Sequence, residues 1–198
     1  MKAVVLEVSD AQLEDRRRRG LDRFDEMWEG VLHMAPSPLY EHQRIVTAMV
    51  EFLGPVCRRR DLGELVLAIN VFDEASAQEN YRIPDFSFVA KGREQLLARD
   101  GIRGGGPDAV IEVRSPHDET ADKFPFFARL GVREVIVIHR DTKQPEIYRL
   151  AGSRNVAVQT DADGWLRSEV LGVRFAHRDS DHVVIEDVDD STIRMPNI

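Results

Sequence analysis

Three charged side chains stand where packing alone would not put them. Glu112 interrupts the run Ala109-Val110-Ile111-Glu112-Val113, which is apolar enough to be buried on both faces of a sheet. A carboxylate in such a run is strongly disfavoured unless it is paired or bound to a cation. Asp85 has the same problem: Pro84, Phe86 and Phe88 take one face of its strand, and its own face carries Ile83, Ser87 and Val89. Lys123 precedes Phe127 by four residues and Leu130 by seven, so it rides beside the apolar stripe of its helix rather than opposite it. Two carboxylates on neighbouring strands, approached by a lysine, form an oxygen-ligand site suited to Mg²⁺ or Mn²⁺. The same residues also read as a structural ion pair of Glu112 with Arg114 or Lys123, and residue type alone does not separate the two readings. Histidine adds little. His33, His42, His117, His139, His177 and His182 show no paired ligand spacing on one helix, and His42 reads as a satisfied, partly buried imidazole. Ser115 beside His117 is better explained as a helix cap than as a nucleophile.

The elements that would carry these residues follow from periodicity. Ser9 with Gln12 forms a capping-box pattern, so a short helix opens there and runs into the Arg16–Arg19 block. A strand over 31–35 precedes Ser37-Pro38, which reads as an N-cap and first-turn proline. From Leu39 the apolar positions Ile45, Val46, Met49, Val50, Leu53 and Val56 recur at helical spacing, and Gly54-Pro55 is expected to kink or end the helix. Residues 65–72 read as a strand buried on both faces. Residues 82–90 read as another, with Pro84 marking an edge or a bulge. The glycine-rich stretch 101–106 reads as a flexible loop and a weak phosphate cradle, because no lysine follows in P-loop register. Residues 108–114 form a central strand, Ser115-Pro116 opens a helix that runs to Leu130, and Gly131 stops it. Strands over 134–139, 146–150 and 156–160 follow, and the acidic segment from His177 reads as peripheral. Helices lie between strand groups, which is the pattern of one mixed α/β domain spanning 1–198, with an acidic C-terminal tail over 176–198.

Composition agrees with an ordinary globular chain. The 198 residues are 42% hydrophobic and 31% charged, with 27 Lys and Arg against 35 Asp and Glu for a net charge of −8. That balance excludes a protein that coats nucleic acid by bulk positive charge, though not an enzyme with a local basic groove. The blocks Arg16–Arg19 and Arg58–Arg60 are the candidates for such a groove. Cys57 is the single cysteine, so neither an intramolecular disulfide nor a cysteine zinc cluster is available. No apolar run reaches the roughly 18 residues of a membrane helix, and the N-terminus lacks the order of a signal peptide; a cytoplasmic protein is expected.

The ordered set of motifs resembles a known family. Ile83-Pro84-Asp85 followed by Val110-Ile111-Glu112-Val113 is similar to the PD-(D/E)XK nuclease superfamily, and within it to the Uma-two family of restriction-endonuclease-like proteins. That family shows a PD strand, an EV-x-SP segment, an acidic residue, a lysine, an aromatic and a GV-x-E before a strand. Here those read Pro84-Asp85, Glu112-Val113-Arg114-Ser115-Pro116, Asp118, Asp122-Lys123, Phe127 and Gly131-Val132-Arg133-Glu134. Upstream the likeness takes in Glu29-Gly30, the segment 36–38 and His42; downstream it reaches Ile147-Tyr148 and Leu171-Gly172, so it spans about residues 20–175. It implies a restriction-endonuclease-like core, a mixed β-sheet flanked by helices, with Asp85, Glu112 and the backbone carbonyl of Val113 as metal ligands. It also implies a lysine supplied from the next helix, Lys123, because Arg114 occupies the usual lysine position. Departures are Val31 where an accessory carboxylate is common, Phe127 for tyrosine, and His139 for aspartate. The expected activity is Mg²⁺- or Mn²⁺-dependent cleavage of DNA, with Arg114 touching substrate phosphate and a homodimer as the assembly. The competing expectation is a catalytically inactive, dimeric binding or scaffold module on the same fold, which the acidic charge favours.

Overall fold

The computed structural model describes residues 3–5 (backbone), 9–35, 37–116, 118–179 and 182–195. Its centre is a six-stranded mixed sheet in the order Arg154–Ala157, Pro145–Ala151, Glu134–His139, Ala109–Arg114, Phe86–Ala90 and Gly63–Leu67. Ala109–Arg114 and Glu134–His139 run parallel, and the remaining neighbours are antiparallel. A second sheet gathers short strands, among them Asp25–Trp28, Val31–Met34 and Tyr81–Arg82, and a third holds the C-terminal strands Val173–Arg178 and His182–Asp187. The mixed α/β architecture expected from the sequence is the one observed.

Strand alternation divides the interior in two. Ala109, Ile111 and Val113 face the helix Tyr40–Arg59, meeting Ile45, Met49 and Leu53, with Phe175, Val183 and Ile185 of the C-terminal strands in the same cluster. Val110, Val135 and Val137 face the other way, onto Phe126 and Phe127 of the helix Phe124–Arg129. Both clusters are shielded from water, so the central strands are apolar on both faces, and any charge among them needs a reason.

Several elements differ from the sequence reading. The capping box at Ser9 and Gln12 forms as expected, but the long helix does not stop at Gly54-Pro55; it runs unbroken to Arg59. Pro55 lies on the exposed face, where the carbonyl it leaves without a donor meets solvent, while Leu53 and Val56 on either side are buried. That helix begins at Tyr40 behind Leu39, so Ser37-Pro38 is not its cap. The segment 65–72 is not one doubly buried strand: Gly63–Leu67 is an edge strand with Leu67 exposed, and Val71–Phe72 joins the other sheet. Residues 82–90 likewise split between two sheets, and Pro84, with no amide hydrogen to give, sits in the crossing. The glycine stretch 101–106 is not a free loop: Gly101–Ile102 is a strand, and Gly101 and Gly106 at the two ends of the stretch are tightly packed. A Cβ at Gly101 would meet the Asn70 carbonyl at 2.4 Å. The loop's anion is the chain's own Glu74, held by Arg103 at 3.0 Å and by the Gly104 amide at 2.9 Å.

The acidic C-terminal segment is not peripheral. Val183, Ile185 and Met195 are fully buried, and Asp187 is 2% exposed because it pairs with Arg59 at 3.0 Å and Arg60 at 3.2 Å. No helix among the described residues is long and apolar enough to cross a membrane.

Candidate active site

Register brings the two carboxylates together. In the antiparallel pair of Phe86–Ala90 with Ala109–Arg114, Phe86 stands opposite Ile111, so the next step outward sets Asp85 across from Glu112. Asp85 is fixed there by both oxygens. Oδ2 accepts the Val113 amide at 2.7 Å, and Oδ1 lies 3.0 Å from His42 Nε2, in the first turn of the long helix. His42 is therefore the satisfied imidazole expected from its place on the helix, and its partner is the aspartate of the PD motif.

Lys123 closes the cluster. The helix expected from Ser115 to Leu130 is instead a turn, a short 3-10 segment Thr120–Lys123 and the helix Phe124–Arg129. The turn is tied by Asp118, whose Oδ2 and Oδ1 accept the amides of Ser115 at 2.6 Å and Thr120 at 3.0 Å; the 3-10 segment starts behind Glu119, so Ser115 is not its cap. The C-terminal stop at Gly131 is as expected, with the Gly131 and Val132 amides returning to Ala128 and Phe127. Lys123, at the junction, reaches Glu112 Oε1 at 3.1 Å and Glu26 Oε1 at 2.8 Å.

Glu26 was not legible in the sequence. It lies on the strand Asp25–Trp28, a segment that begins with two acidic residues and so carries no apolar alternation to mark it as buried. Tertiary contacts bury it to 7% exposure. Its Oε1 accepts the Ile83 amide at 2.8 Å, two residues before Asp85, and its Oε2 accepts Trp28 Nε1 at 2.8 Å.

Burial pushes the Glu112 carboxyl up, to about 8; Lys123 opposes that rise, and the charges of Asp85 and Glu26 add to it. Burial pulls Lys123 down, but Glu112 and Glu26 outweigh it and leave the ammonium above its ordinary range. Lys123 thus pairs with two buried carboxylates, Glu112 and Glu26, while the charge of Asp85 also acts on Glu112, an acidic surrounding suited to a cation.

The donor set fits a hard divalent ion. Asp85 and Glu112 offer carboxylate oxygens, and nothing among the described residues donates to Glu112 Oε2. Among those residues no three His, Cys, Asp or Glu side chains cluster as ligands. Two side chains plus backbone, solvent and substrate oxygens is the way Mg²⁺ is usually held. Val113 enters the site through its amide. Arg114 is partly exposed at the strand end and pairs loosely with Asp118 at 3.8 Å, not with Glu112.

The basic blocks do not line this site. Arg59 and Arg60 are taken up by Asp187 and Asp189, and the block lies sixteen residues beyond His42, about 24 Å along the helix. Arg16 binds Asp25 at 2.6 Å, Arg18 and Arg19 pair with Asp15, and Arg17 lies 4.0 Å from Glu79. Pro36 and His117 fall outside the described residues.

Comparison with known families now bears on this geometry. A family model described as "Putative restriction endonuclease" (Uma2) matches residues 10–178. The chain belongs to the Uma2 family. Within solved structures it is similar to a putative nuclease belonging to DUF820 from Anabaena variabilis, with a TM-score of 0.59 and 18% identity over 74% of this chain and 82% of that one. That likeness shows a shared fold. No curated protein matches. The Uma2 match covers every residue of the cluster: Glu26, His42, Asp85, Glu112 and Lys123.

Proposed function

We propose that this Uma2 protein is a divalent-metal-dependent endonuclease that hydrolyses phosphodiester bonds of DNA. The observation that carries this reading is the cross-strand placement of Asp85 and Glu112 with the Lys123 ammonium 3.1 Å from Glu112. Asp85, Glu112 and the Val113 carbonyl would hold Mg²⁺ or Mn²⁺. Such an ion, when bound, activates water and neutralises phosphate charge. Lys123 supplies fixed N–H donors beside that carboxylate, where they orient the attacking water and meet the charge that grows on the phosphoryl oxygens. Asp85 keeps its geometry through the Val113 amide and His42. Arg114, 37% exposed at the strand end, is placed to contact a flanking phosphate.

The test is cleavage of supercoiled plasmid with Mg²⁺ or Mn²⁺. Glu112→Gln and Asp85→Asn are expected to abolish metal-dependent nicking while circular dichroism shows the fold retained. Undiminished nicking by Glu112→Gln sinks the assignment. A second reading, a catalytically inactive binding or scaffold module, draws on one observation: Arg59 and Arg60 of the Arg58–Arg60 block are paired with Asp187 and Asp189 of the C-terminal segment rather than presented at the site. Under that reading the wild type neither nicks DNA nor binds Mn²⁺.

A further inference from the structure

Lys123 and a divalent ion would compete for one carboxylate. Both are cations, both seek Glu112 oxygens, and the site is too dry for water to screen them well. The chain supplies a second acceptor for the ammonium. Glu26 Oε1 stands 2.8 Å from Lys123 Nζ, closer than Glu112 Oε1 at 3.1 Å. Glu26 is also the better anchored of the two. Its oxygens take the Ile83 amide and the Trp28 indole N–H, and Trp28 stacks on the His33 ring at 4.1 Å and carries the Arg82 guanidinium 4.1 Å from its ring. Among the described residues Glu112 has no such second tie.

We propose that Glu26 is a positioning residue: it retains the Lys123 ammonium so that Glu112 is free to ligate a divalent cation. This rests on the cation site of the preceding reading. The pair divides labour. The anchored carboxylate keeps the lysine charged and aimed, and the untied one turns to the metal. Without Glu26, Lys123 settles wholly on Glu112 and holds it against the ion.

Mn²⁺ binding by calorimetry on the full chain tests this with no need for activity. The set is wild type, Glu26→Gln, Lys123→Met, the double variant, and Glu26→Asp alone and in the Lys123→Met background. Glu26→Gln is expected to raise the Mn²⁺ Kd on the order of tenfold, the scale of coupling between neighbouring charges. In the Lys123→Met background the same change is expected to do nothing, because no ammonium remains to compete. Glu26→Asp keeps the charge but withdraws it by about 1.5 Å, and is expected to weaken Mn²⁺ as well. Equal losses with and without Lys123, together with an unaffected Glu26→Asp, would mean that Glu26 acts only through its field, and overturn the proposal. Wild-type affinity in Glu26→Gln would overturn it too. If Glu26→Gln does not melt cooperatively, Glu26→Asp in the two backgrounds carries the test. A wild type that binds no Mn²⁺ refutes the cation site itself, and this inference with it; binding without the coupling refutes the inference alone.

Discussion

Removing the one ammonium and removing one of the three carboxylates should have opposite consequences for stability. Lys123→Met strips the buried cluster of its positive charge and leaves Glu112, Glu26 and Asp85 facing one another, with Glu112 only 5% exposed. Orphaning one member of a buried ion pair costs about 3–5 kcal/mol, which for a domain of this size lowers Tm by roughly 10 °C. Glu112→Gln leaves Lys123 still paired with Glu26 at 2.8 Å and relieves repulsion, so it is expected to stay within about 1 kcal/mol of wild type or to exceed it. The Lys123→Met deficit also depends on pH. The folded-state pKa of Glu112 lies above its ordinary 4.5, near 8. The stability from its protonated form is therefore full below 4.5 and lost as pH rises through about 8. Loss of Lys123 removes the one interaction that holds this pKa down, and strengthens the trend. Thermal melts of the metal-free protein at pH 5 and pH 8 are the assay. The variant is expected to lose most at pH 8 and to recover a large part of that loss at pH 5. A Glu112→Gln variant as damaged as Lys123→Met at pH 8, or a deficit that does not change with pH, refutes the charge argument.

Two further predictions concern the frame around the site. Asp187→Ala removes the shared partner of Arg59 and Arg60 from a position 2% exposed, and should destabilise the protein by about 3 kcal/mol in urea melts; an unchanged midpoint would show that the C-terminal strands do not need this anchor. Pro55→Ala restores an amide to the middle of a continuous helix on its exposed face, and should stabilise by about 1–2 kcal/mol after allowance for the looser unfolded chain. A lowered Tm would mean that the proline fits a strain the structure does not display.

The charged trio of the candidate site was legible in the sequence because each member violated its surroundings. Glu112 broke an apolar run, Asp85 sat among phenylalanines, and Lys123 rode an apolar stripe; the structure brings all three together. Local punctuation near the site was less reliable. Ser115 carried the signature of a cap, yet the chain turns there instead of opening a helix, because a carboxylate three residues on, Asp118, gathers the Ser115 and Thr120 amides. Gly54-Pro55 carried the signature of a break, yet the helix continues, because burial of Leu53 and Val56 on the far side outweighs one solvent-facing carbonyl.

What the sequence determined by itself is the continuous apolar run that makes a doubly buried central strand, and the carboxylates that strand and its neighbour must accommodate. Such patterning is a local property, so a single chain segment displays it in full. Tertiary structure alone decided which charges are paired away from the candidate site and which are gathered at it. Arg59 and Arg60 look free in the sequence, but the C-terminal strands return across the fold to take them. Glu26 looks like an ordinary surface acid, but the N-terminal hairpin carries it to a lysine nearly a hundred residues away. Pairing over such separations leaves no periodic trace, because it depends on where distant elements pack and not on what stands beside each residue.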